Sequence, residues 1–315
     1  MAANAEKPEA EKFSLSSLWS SQNQSGLGFF GSSEKSLAPP PPCFEVLPSE
    51  VSSTVKCTTD SVNLSEGLAL LKGRVSTHEV FALSNSDLVP GKYEGGLKLW
   101  EGSLDLVKTL RAEIQDGRLS LTGKSILELG CGHGLPGIFA CLEGASVIHF
   151  QDFNAEVLQC LTIPNVNANL RKEPVQLSTT NATERNNSDA EVRFFAGDWS
   201  EVHQYLLHLR DIEDENSLGL RLEQHPTAGY DVILMAETVY SISSLQNLYA
   251  LIKKCLSCPH GVVYMAAKKH YFGVGGGTRQ FLSVVAKDGV MVSNLIAEVA
   301  DGSSNVREVW KLSFK

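Results

Sequence analysis

In the last two thirds of the chain, apolar residues follow two different periods. Short, nearly continuous apolar runs predict strands buried on both faces, at residues 125–129, 146–152, 192–196, 231–235 and 262–265. Between them, apolar residues spaced three and four apart predict helices, most clearly over residues 245–256. Two strand patterns, over residues 290–300 and 306–314, flank an Asp-Gly turn and predict an antiparallel hairpin. We therefore expect an α/β fold whose seven-stranded, mostly parallel sheet has helices on both faces.

The first 120 residues predict a different organisation. Residues 1–60 are rich in Ser, Pro, Ala and charge. We expect them to form a disordered tail, because such a segment buries too little apolar surface to offset chain entropy. Residues 61–120 predict a cap and lid leading into a domain over residues 121–315. Within the cap, the leucines of residues 64–71 predict a helix, and apolar residues 80–83 predict a strand.

Three features are predicted along the domain after the second parallel strand. Asn154 is expected to cap the following helix, and Pro164 is expected to end it. The polar stretches at residues 171–190 and 211–229 predict exposed insertions.

A glycine-rich turn follows the first parallel strand. Gly130, Gly132 and Gly134 alternate with other residues, and a helix is predicted to begin near Pro136. Glycine allows positive φ and close approach of a ligand to the backbone. Open α/β sheets bind nucleotides at such turns, so this edge of the sheet is the predicted site.

Two nucleotide-binding interpretations compete here. The segment from Gly132 to Gly137 fits G-x-G-x-x-G, and Asp152 lies where a ribose-binding acid is expected, which would indicate a dinucleotide-dependent dehydrogenase. The alternative is an S-adenosylmethionine (AdoMet) methyltransferase, whose first motif is similar to E-x-G-x-G-x-G. Glu128 favours the methyltransferase, because a carboxylate in an apolar strand needs a partner and the methionine ammonium group supplies one. A dehydrogenase would also need a second domain, for which little chain remains.

Polar and aromatic residues stand at the ends of the neighbouring strands. Asp152 is placed to accept hydrogen bonds from two ribose hydroxyls. Asp198 is placed to accept from an adenine amino group, with Trp199 beside the ring; alternatively, Asp198 caps a helix and Trp199 packs in the core. Trp100 either packs on the sheet or covers the cofactor as part of the lid.

Composition and charge argue against several classes of protein. The chain of 315 residues carries a net charge of -9, so it lacks the basic surface of proteins that grip nucleic acid directly. No run approaches the roughly 20 apolar residues that span a bilayer. Seven scattered cysteines without a secretory signal indicate reduced thiols. Cys255, Cys258 and His260 make only a weak zinc motif, and we expect no metal.

Six segments match one family in order and spacing. They are residues 93–101, 127–132, 149–154, 197–201, 236–240 and 269–277. The first and last, Tyr-Glu-Gly-Gly-x-Lys-x-Trp-Glu and Lys-His-Tyr-Phe-Gly-Val-Gly-Gly-Gly, are the most specific. Over residues 90–315 the chain resembles the eukaryotic histidine protein methyltransferase 1 family, within the class I, Rossmann-like AdoMet-dependent methyltransferases.

The resemblance implies a reaction and a setting. It implies AdoMet as cofactor and methylation of one histidine in ribosomal protein uL3, at the tele nitrogen, with an effect on ribosome assembly or translation. It also implies residence in the nucleus and cytosol. We accordingly expect a protein partner similar to uL3, no direct contact with nucleic acid or membrane, and a monomer.

The predicted cofactor-binding residues come from two sources. The glycine-rich motif contributes Glu128, Gly130, Cys131 and Gly132. By resemblance, further AdoMet contacts fall on Lys98, Trp100, Glu101, Gln151, Asp152, Phe153, Asn154, Gly197, Asp198, Trp199 and Ala236.

Four residues are predicted to act on the substrate. Methyl transfer to neutral histidine needs alignment more than a strong base, because imidazole already carries a lone pair. Glu237 is expected to accept the other ring N–H and support the developing imidazolium, with Tyr240 as pocket wall or donor. His270 and Tyr271 are expected to grip the substrate from the opposite loop.

Two rival functions stay open beside this one. A lysine-directed methyltransferase of the same broader group would share a lid Trp and an acid-x-x-Tyr after the fourth strand. A non-catalytic AdoMet-fold chaperone of ribosomal proteins is disfavoured by the acids at Glu128, Asp152 and Asp198.

Overall fold

The computed structural model describes residues 42–65, 67–84, 86–170, 190–206, 229–300, 302 and 305–315. The strands there are β1 Phe44–Glu45, β2 Thr58–Ser65, β3 Leu68–Arg74, β4 Ser125–Leu129, β5 Val147–Asp152, β6 Glu191–Ala196, β7 Val232–Ala236, β8 Val262–Lys268, β9 Met291–Val299 and β10 Arg307–Phe314. The helices are α1 Thr77–Phe81, α2 Glu101–Gln115, α3 Leu135–Leu142, α4 (the consecutive segments Ala155–Val157, Leu158–Thr162 and Ile163–Leu170), α5 Leu245–Cys255 and α6 Thr278–Asp288. Across these ranges, no helix has the length and apolarity to cross a membrane.

One sheet carries the candidate site. Within the described residues its order is β1-β6-β5-β4-β7-β8-β10-β9. The strands β6, β5, β4, β7 and β8 are parallel, whereas β10 pairs antiparallel with both β8 and β9. Apart from the short β1, this is the predicted seven-stranded sheet with its C-terminal hairpin, which confirms the class I methyltransferase fold. The parallel strands all end at one edge, and the chain order reverses between β4 and β7, where α/β sheets bind ligands.

Neighbouring residues of the central strands face opposite layers. In β4, Ile126 packs in a cluster with Leu106 of α2 and Ile138 of α3, whereas Leu127 packs in a second cluster with Leu248 of α5. Both strand residues are fully buried. The near-continuous apolar runs therefore serve two cores, and the helices cover both faces as predicted.

The segment before α2 differs from the prediction. Of residues 64–71, expected to be helical, residues 64–65 lie in β2 and residues 68–71 lie in β3, which pairs with it. Residues 80–83, expected to be a strand, lie in and after α1. The leucines also fit a strand period, since Leu70 is buried and Leu71 is exposed. Ser76 caps α1 with its hydroxyl, a start signal that the apolar pattern concealed.

Ordered structure begins before residue 60, the predicted end of the tail. β1 pairs antiparallel with β6, and Val46 next to it is fully buried. Glu45 and Arg193 form an ion pair at 2.8 Å across this edge. Residues 44–46 therefore pack on the sheet, because β6 offers an unpaired edge that composition does not reveal. Outside the described residues lie residues 1–41 of the predicted tail and nearly all of the predicted insertions at residues 171–190 and 211–229.

Pro164 does not end the helix after β5, contrary to the prediction. A π-helical turn, Leu158–Thr162, precedes the proline, and the helix continues to Leu170. Proline lacks an N–H and crowds the carbonyl four residues earlier, and the wider π turn relieves both problems. The continued helix reaches the hairpin β2–β3, where the Asn165 side chain accepts a hydrogen bond from the N–H of Gly73 at 2.5 Å.

Candidate active site

The glycine-rich turn after β4 lies against residues 86–100, which are called the lid below. Gly132 has φ +48°, and a Cβ there would lie 2.9 Å from the carbonyl oxygen of Gly96 in the lid. Both the left-handed conformation and the contact therefore exclude a side chain. Gly130 lies against Thr238 and Trp199 in the same way. The turn thus joins the lid to the C-terminal edge of the sheet.

Glu128 and Cys131 support this turn from below. Glu128 is 2% exposed, and its Oε2 accepts a hydrogen bond from the N–H of Gly137 at 2.8 Å. Burial raises the pKa of this carboxyl to about 8. The partner of Glu128 among the described residues is therefore the first turn of α3, and its predicted contact with a ligand's ammonium group stays a prediction. Burial also raises the pKa of the Cys131 thiol, and the backbone N–H of Cys131 donates to the carbonyl of Gln151 at 2.8 Å.

Gln151 links three strand ends. Its side-chain oxygen accepts from the N–H of Gly130 at 3.3 Å and from the indole N–H of Trp199 at 2.9 Å. Its side-chain NH₂ donates to the carbonyl of Gly197 at 2.8 Å. Because Gln151 is fully buried, it fixes the ends of β4, β5 and β6 relative to one another instead of facing a ligand.

Asp152 stands at the end of β5, as predicted. Its carboxylate accepts from the backbone N–H of Gly132 at 2.9 Å and of Asn154 at 3.1 Å. Burial raises the pKa of this carboxyl to about 6, although these backbone hydrogen bonds lower it. Each carboxylate oxygen has a second lone pair, so both can still accept from a ligand.

Asn154 occupies the N-cap position of α4, but its side chain does not cap the helix. Instead it reaches the lid, donating to the carbonyl of Lys92 at 2.9 Å and accepting from the N–H of Glu94 at 3.1 Å. Phe153 beside it is half-buried. Asn154 therefore anchors the lid over the end of β5, a role that the prediction of a helix cap missed.

In the loop after β6, Asp198 makes the capping contact, whereas its predicted contact with an adenine stays a prediction. Its Oδ1 accepts from the N–H and the hydroxyl of Ser200, at 2.8 and 2.7 Å, as a capping residue does. Trp199 is half-buried, and its ring lies near Gly130. Gly197 continues the edge through its N–H, which donates to the carbonyl of Asp152 at 3.0 Å. The loop therefore borders the glycine-rich turn while Asp198 stabilises its own backbone.

Lid residues and Lys268 surround Trp100. The indole N–H of Trp100 donates to the carbonyl of Gly95 at 3.0 Å. The ammonium groups of Lys98 and Lys268 lie 4.5 and 5.4 Å from the Trp100 ring centre. Lys98 also pairs with Asp87 at 2.5 Å. Lys98 therefore braces the lid from the exposed side.

A cavity of about 380 Å³ opens at the ends of β7 and β8. Its lining residues are Asp87, Leu88, Glu94, Gly95, Trp100, Glu237, Tyr240, Lys268, Tyr271, Phe272, Val274 and Asn305. The lid supplies one wall, and the loops after β7 and β8 supply the others. Three of the four residues predicted to act on the substrate, Glu237, Tyr240 and Tyr271, are therefore brought together here.

Glu237 is held in an unusual conformation directly after β7. Its φ is +58°, which is uncommon for a residue with a side chain and is found at functional sites. Its carboxylate accepts from the N–H of Gly102 at 3.2 Å and from the hydroxyl of Tyr271. A Cβ on Gly102 would lie 2.7 Å from the carboxylate, so a glycine is needed there. Burial raises the pKa of Glu237, although Tyr271 and Lys268 lower it.

The remaining predicted residues lie beside the cavity or outside it. His270 is exposed and does not line the cavity, so its predicted contact with the substrate would lie outside the cavity and stays a prediction. Its carbonyl accepts a hydrogen bond from Asn305 at 2.6 Å, which shapes the loop instead. Ala236 is the last residue of β7, and Glu101, the first residue of α2, is exposed. Neither lines the cavity.

Two site residues were missed by the sequence interpretation. One is Glu94, which stands between Tyr93 and the two glycines of the lid motif and accepts a hydrogen bond from the hydroxyl of Tyr240. Thr238 buries a hydroxyl for which the described residues offer no hydrogen-bond partner. No signal in the sequence distinguished Thr238 from an ordinary core residue. As for metal ions, the described ranges contain no group of three His, Cys, Asp or Glu side chains suited to hold one.

Known proteins of one family are similar to most of this chain in sequence. The histidine protein methyltransferase 1 homolog of Dictyostelium discoideum is 37% identical over 233 residues, which are 74% of this chain and 62% of that protein. The homolog of Bos taurus is 35% identical over 226 residues, 70% of this chain and 56% of that protein. Over the matched part, the chain is a relative of histidine protein methyltransferase 1. It thus spans roughly three fifths of the length of these relatives.

Two other comparisons add little. No protein-family model matches the chain. A solved magnesium protoporphyrin IX methyltransferase from Synechocystis PCC 6803 with bound SAM aligns with 68% of this chain and 81% of its own, at 10% identity and a TM-score of 0.43. A likeness at this level carries no argument, so the fold assignment rests on the strand order.

Proposed function

We propose that the protein transfers a methyl group from AdoMet to a ring nitrogen of a histidine in a protein substrate. The observation that carries this proposal is the cavity, where two tyrosine–carboxylate pairs, Tyr240 with Glu94 and Tyr271 with Glu237, adjoin the glycine-rich edge. The activity named for the relatives supports it. The test is incubation of the full chain with methyl-tritiated AdoMet and a histidine-containing protein, followed by hydrolysis and amino-acid analysis. If no labelled methylhistidine appears, the proposal fails.

The residues at the sheet edge fit AdoMet. Asp152 keeps acceptor capacity toward hydroxyl groups, and Thr238 lies against Gly130 through its side-chain methyl group. Asp152 and the backbone of the glycine-rich turn would hold the nucleoside, with Phe153 and Trp199 beside it. When bound, AdoMet supplies an electrophilic methyl group on a sulfonium, whose S–C bond breaks with its electron pair staying on sulfur.

The cavity provides charge and alignment for an imidazole. Glu237 places a negative charge where an imidazolium would form, and preorganised charge of this kind stabilises the transition state. Gly102 and Tyr271 hold its carboxylate in place. Neutral histidine has an unperturbed pKa near 6.5, so the protein needs to orient the ring rather than remove a proton first.

The substrate that we propose is a histidine of a ribosomal protein similar to uL3, methylated at the tele nitrogen in the nucleus or cytosol. The resemblance of the motifs over residues 90–315 supports this choice. Isolated uL3 and whole ribosomes should be compared as substrates in parallel. Labelling of the free protein alone would place the reaction before or during subunit assembly, whereas labelling of neither would reject uL3 while leaving histidine methylation open for other proteins.

A lysine-directed activity is the second candidate. The cavity holds the acids Asp87, Glu94 and Glu237 and several aromatic rings, and such surroundings suit a cation. Lys268 opposes this function, because its ammonium group occupies the same cavity. Mass spectrometry of the methylated product identifies the modified residue and decides between the two activities.

Phe272 is expected to contact the protein substrate. Its side chain is 74% exposed at the cavity rim, where Val274 is also exposed by 42%, and neighbouring exposed apolar side chains mark interaction sites. Phe272→Ala should raise KM for the protein about tenfold, since burying such a side chain contributes about 1.5–3 kcal/mol, and should leave KM for AdoMet unchanged. Steady-state kinetics measures both constants. Leu142→Ala, which removes a 46% exposed side chain at the end of α3, is the control, and an equal effect in both variants would contradict the expectation.

A further inference from the structure

Two tyrosine–carboxylate pairs face each other in the cavity. Tyr240 donates its hydroxyl proton to Glu94, and Tyr271 donates to Glu237. The two rings are edge-to-face, with centroids 6.4 Å apart. A phenol has one proton, so a tyrosine that donates it to a carboxylate can only accept hydrogen bonds from a ligand. Both hydroxyl groups therefore have a fixed polarity.

The two tyrosine hydroxyl groups differ in the other hydrogen bonds that they make. The hydroxyl of Tyr271 already accepts from the backbone N–H of Lys268 at 3.3 Å. Among the described residues, the hydrogen bond recorded for the Tyr240 hydroxyl is its donation to Glu94. Tyr240 thus keeps an acceptor position toward the cavity that Tyr271 has already used.

Glu94 is firmly anchored as the partner of Tyr240. Its Oε1 accepts from the N–H of Gly91 at 2.6 Å, and its own N–H donates to Asn154 at 3.1 Å. Burial, followed by the charge of Glu94, raises the pKa of Tyr240. Tyr240 therefore stays protonated and keeps donating to Glu94 rather than to a ligand.

We infer that Tyr240 accepts a hydrogen bond from the pros N–H of the target imidazole and so sets which nitrogen is methylated, with Glu94 as its positioning residue. This inference rests on the proposed function. A neutral imidazole has a proton on one nitrogen and a lone pair on the other. With the pros proton held by Tyr240, the tele nitrogen contributes its lone pair to the new N–C bond. The pros proton stays on the methylated ring and is lost to water after release.

The ratio of tele- to pros-methylhistidine tests the inference. Isolated uL3 and AdoMet are the substrates, and the hydrolysed product is resolved by chromatography and mass spectrometry. The wild type should give mainly the tele isomer. Tyr240→Phe should lower the ratio about tenfold, the equivalent of one neutral hydrogen bond of about 1–1.5 kcal/mol. Glu94→Gln should lower it too, because an amide can donate to the phenol and turn the phenol proton toward the ligand.

Two control variants separate orientation from general damage. Tyr271→Phe should reduce the rate but keep the ratio. Tyr249→Phe removes a tyrosine–carboxylate bond to Asp288, 2.9 Å long and outside the cavity, and should change neither rate nor ratio. Thermal unfolding checks that each variant folds. If Tyr240→Phe does not fold, the ratio of tele- to pros-methylhistidine is measured with Glu94→Gln.

The possible outcomes bear on different statements. An unchanged ratio in a folded Tyr240→Phe or Glu94→Gln variant, or a wild-type product that is mainly pros, overturns the inference and leaves histidine methylation intact. No methylhistidine from the wild type rejects uL3 as the substrate, which is the part of the proposed function on which the inference rests.

Discussion

Asp152→Asn should weaken AdoMet binding about 30-fold and flatten its pH dependence. A hydrogen bond to an ionised carboxylate contributes about 1.5–3 kcal/mol, and each 1.4 kcal/mol is tenfold in affinity. Asp152 is buried at the end of β5, with both oxygens able to accept further hydrogen bonds. An amide in its place has one acceptor oxygen and no charge, so the loss of affinity follows.

The pH profile identifies the group responsible. Burial raises the pKa of Asp152 to about 6, and the ionised form is the better acceptor for hydroxyl groups. Wild-type affinity should therefore rise with pH through about 6, and fall roughly tenfold between pH 7.5 and pH 5. Isothermal titration calorimetry across this range measures both effects. Asp231→Asn is the matched control, because that carboxylate binds the N–H of Ser125 at the opposite edge of the sheet. If Asp152→Asn binds AdoMet with wild-type affinity and wild-type dependence on pH, the assignment of Asp152 to the AdoMet site is contradicted.

Glu237→Gln should lower kcat about a hundredfold with little change in KM for AdoMet. The substitution keeps the size of the side chain and an oxygen for the N–H of Gly102, but removes the negative charge facing the cavity. Loss of one preorganised electrostatic contact in an active site typically costs about a hundredfold or more in kcat. Single-turnover kinetics at saturating protein substrate isolates this step from binding.

A second buried glutamate–tyrosine pair provides the control for Glu237. The Glu113 side chain is buried and accepts from Tyr264 at 3.3 Å, near the end of α2 that is remote from Glu237. Glu113→Gln should affect stability but leave kcat unchanged. If Glu237→Gln retains wild-type kcat, its charge plays no part in the transfer.

The binding edge was predictable because its signals are local. A glycine-rich turn after an apolar strand requires backbone conformations that few other sequences supply, so Gly130 and Gly132 marked the place. Strand ends of a parallel sheet meet at one edge, so Asp152 could be assigned to it. The lid motif around Trp100 was equally recognisable.

Partners that are distant in sequence were not predictable. Glu128 and Asp152 both end apolar strands as acids, but only the packed structure shows that one meets the N–H of Gly137 below the turn and the other stays at the edge. His270 and Tyr271 are adjacent, and the direction of the loop backbone turns one outward and the other into the cavity. Local sequence does not encode such choices.

From β4 onward, the residue pattern predicts the order of strands and helices, the layered α/β architecture and the sheet edge that carries the candidate site, because periodicity and glycine turns act over a few residues. Packing between distant parts of the chain sets which polar side chains share the cavity and which hydrogen bond each one makes. The pairing of Tyr240 with Glu94 joins residues 146 positions apart. Such contacts exist only after the lid has packed on the sheet, since burial and partner together set what a polar group can do.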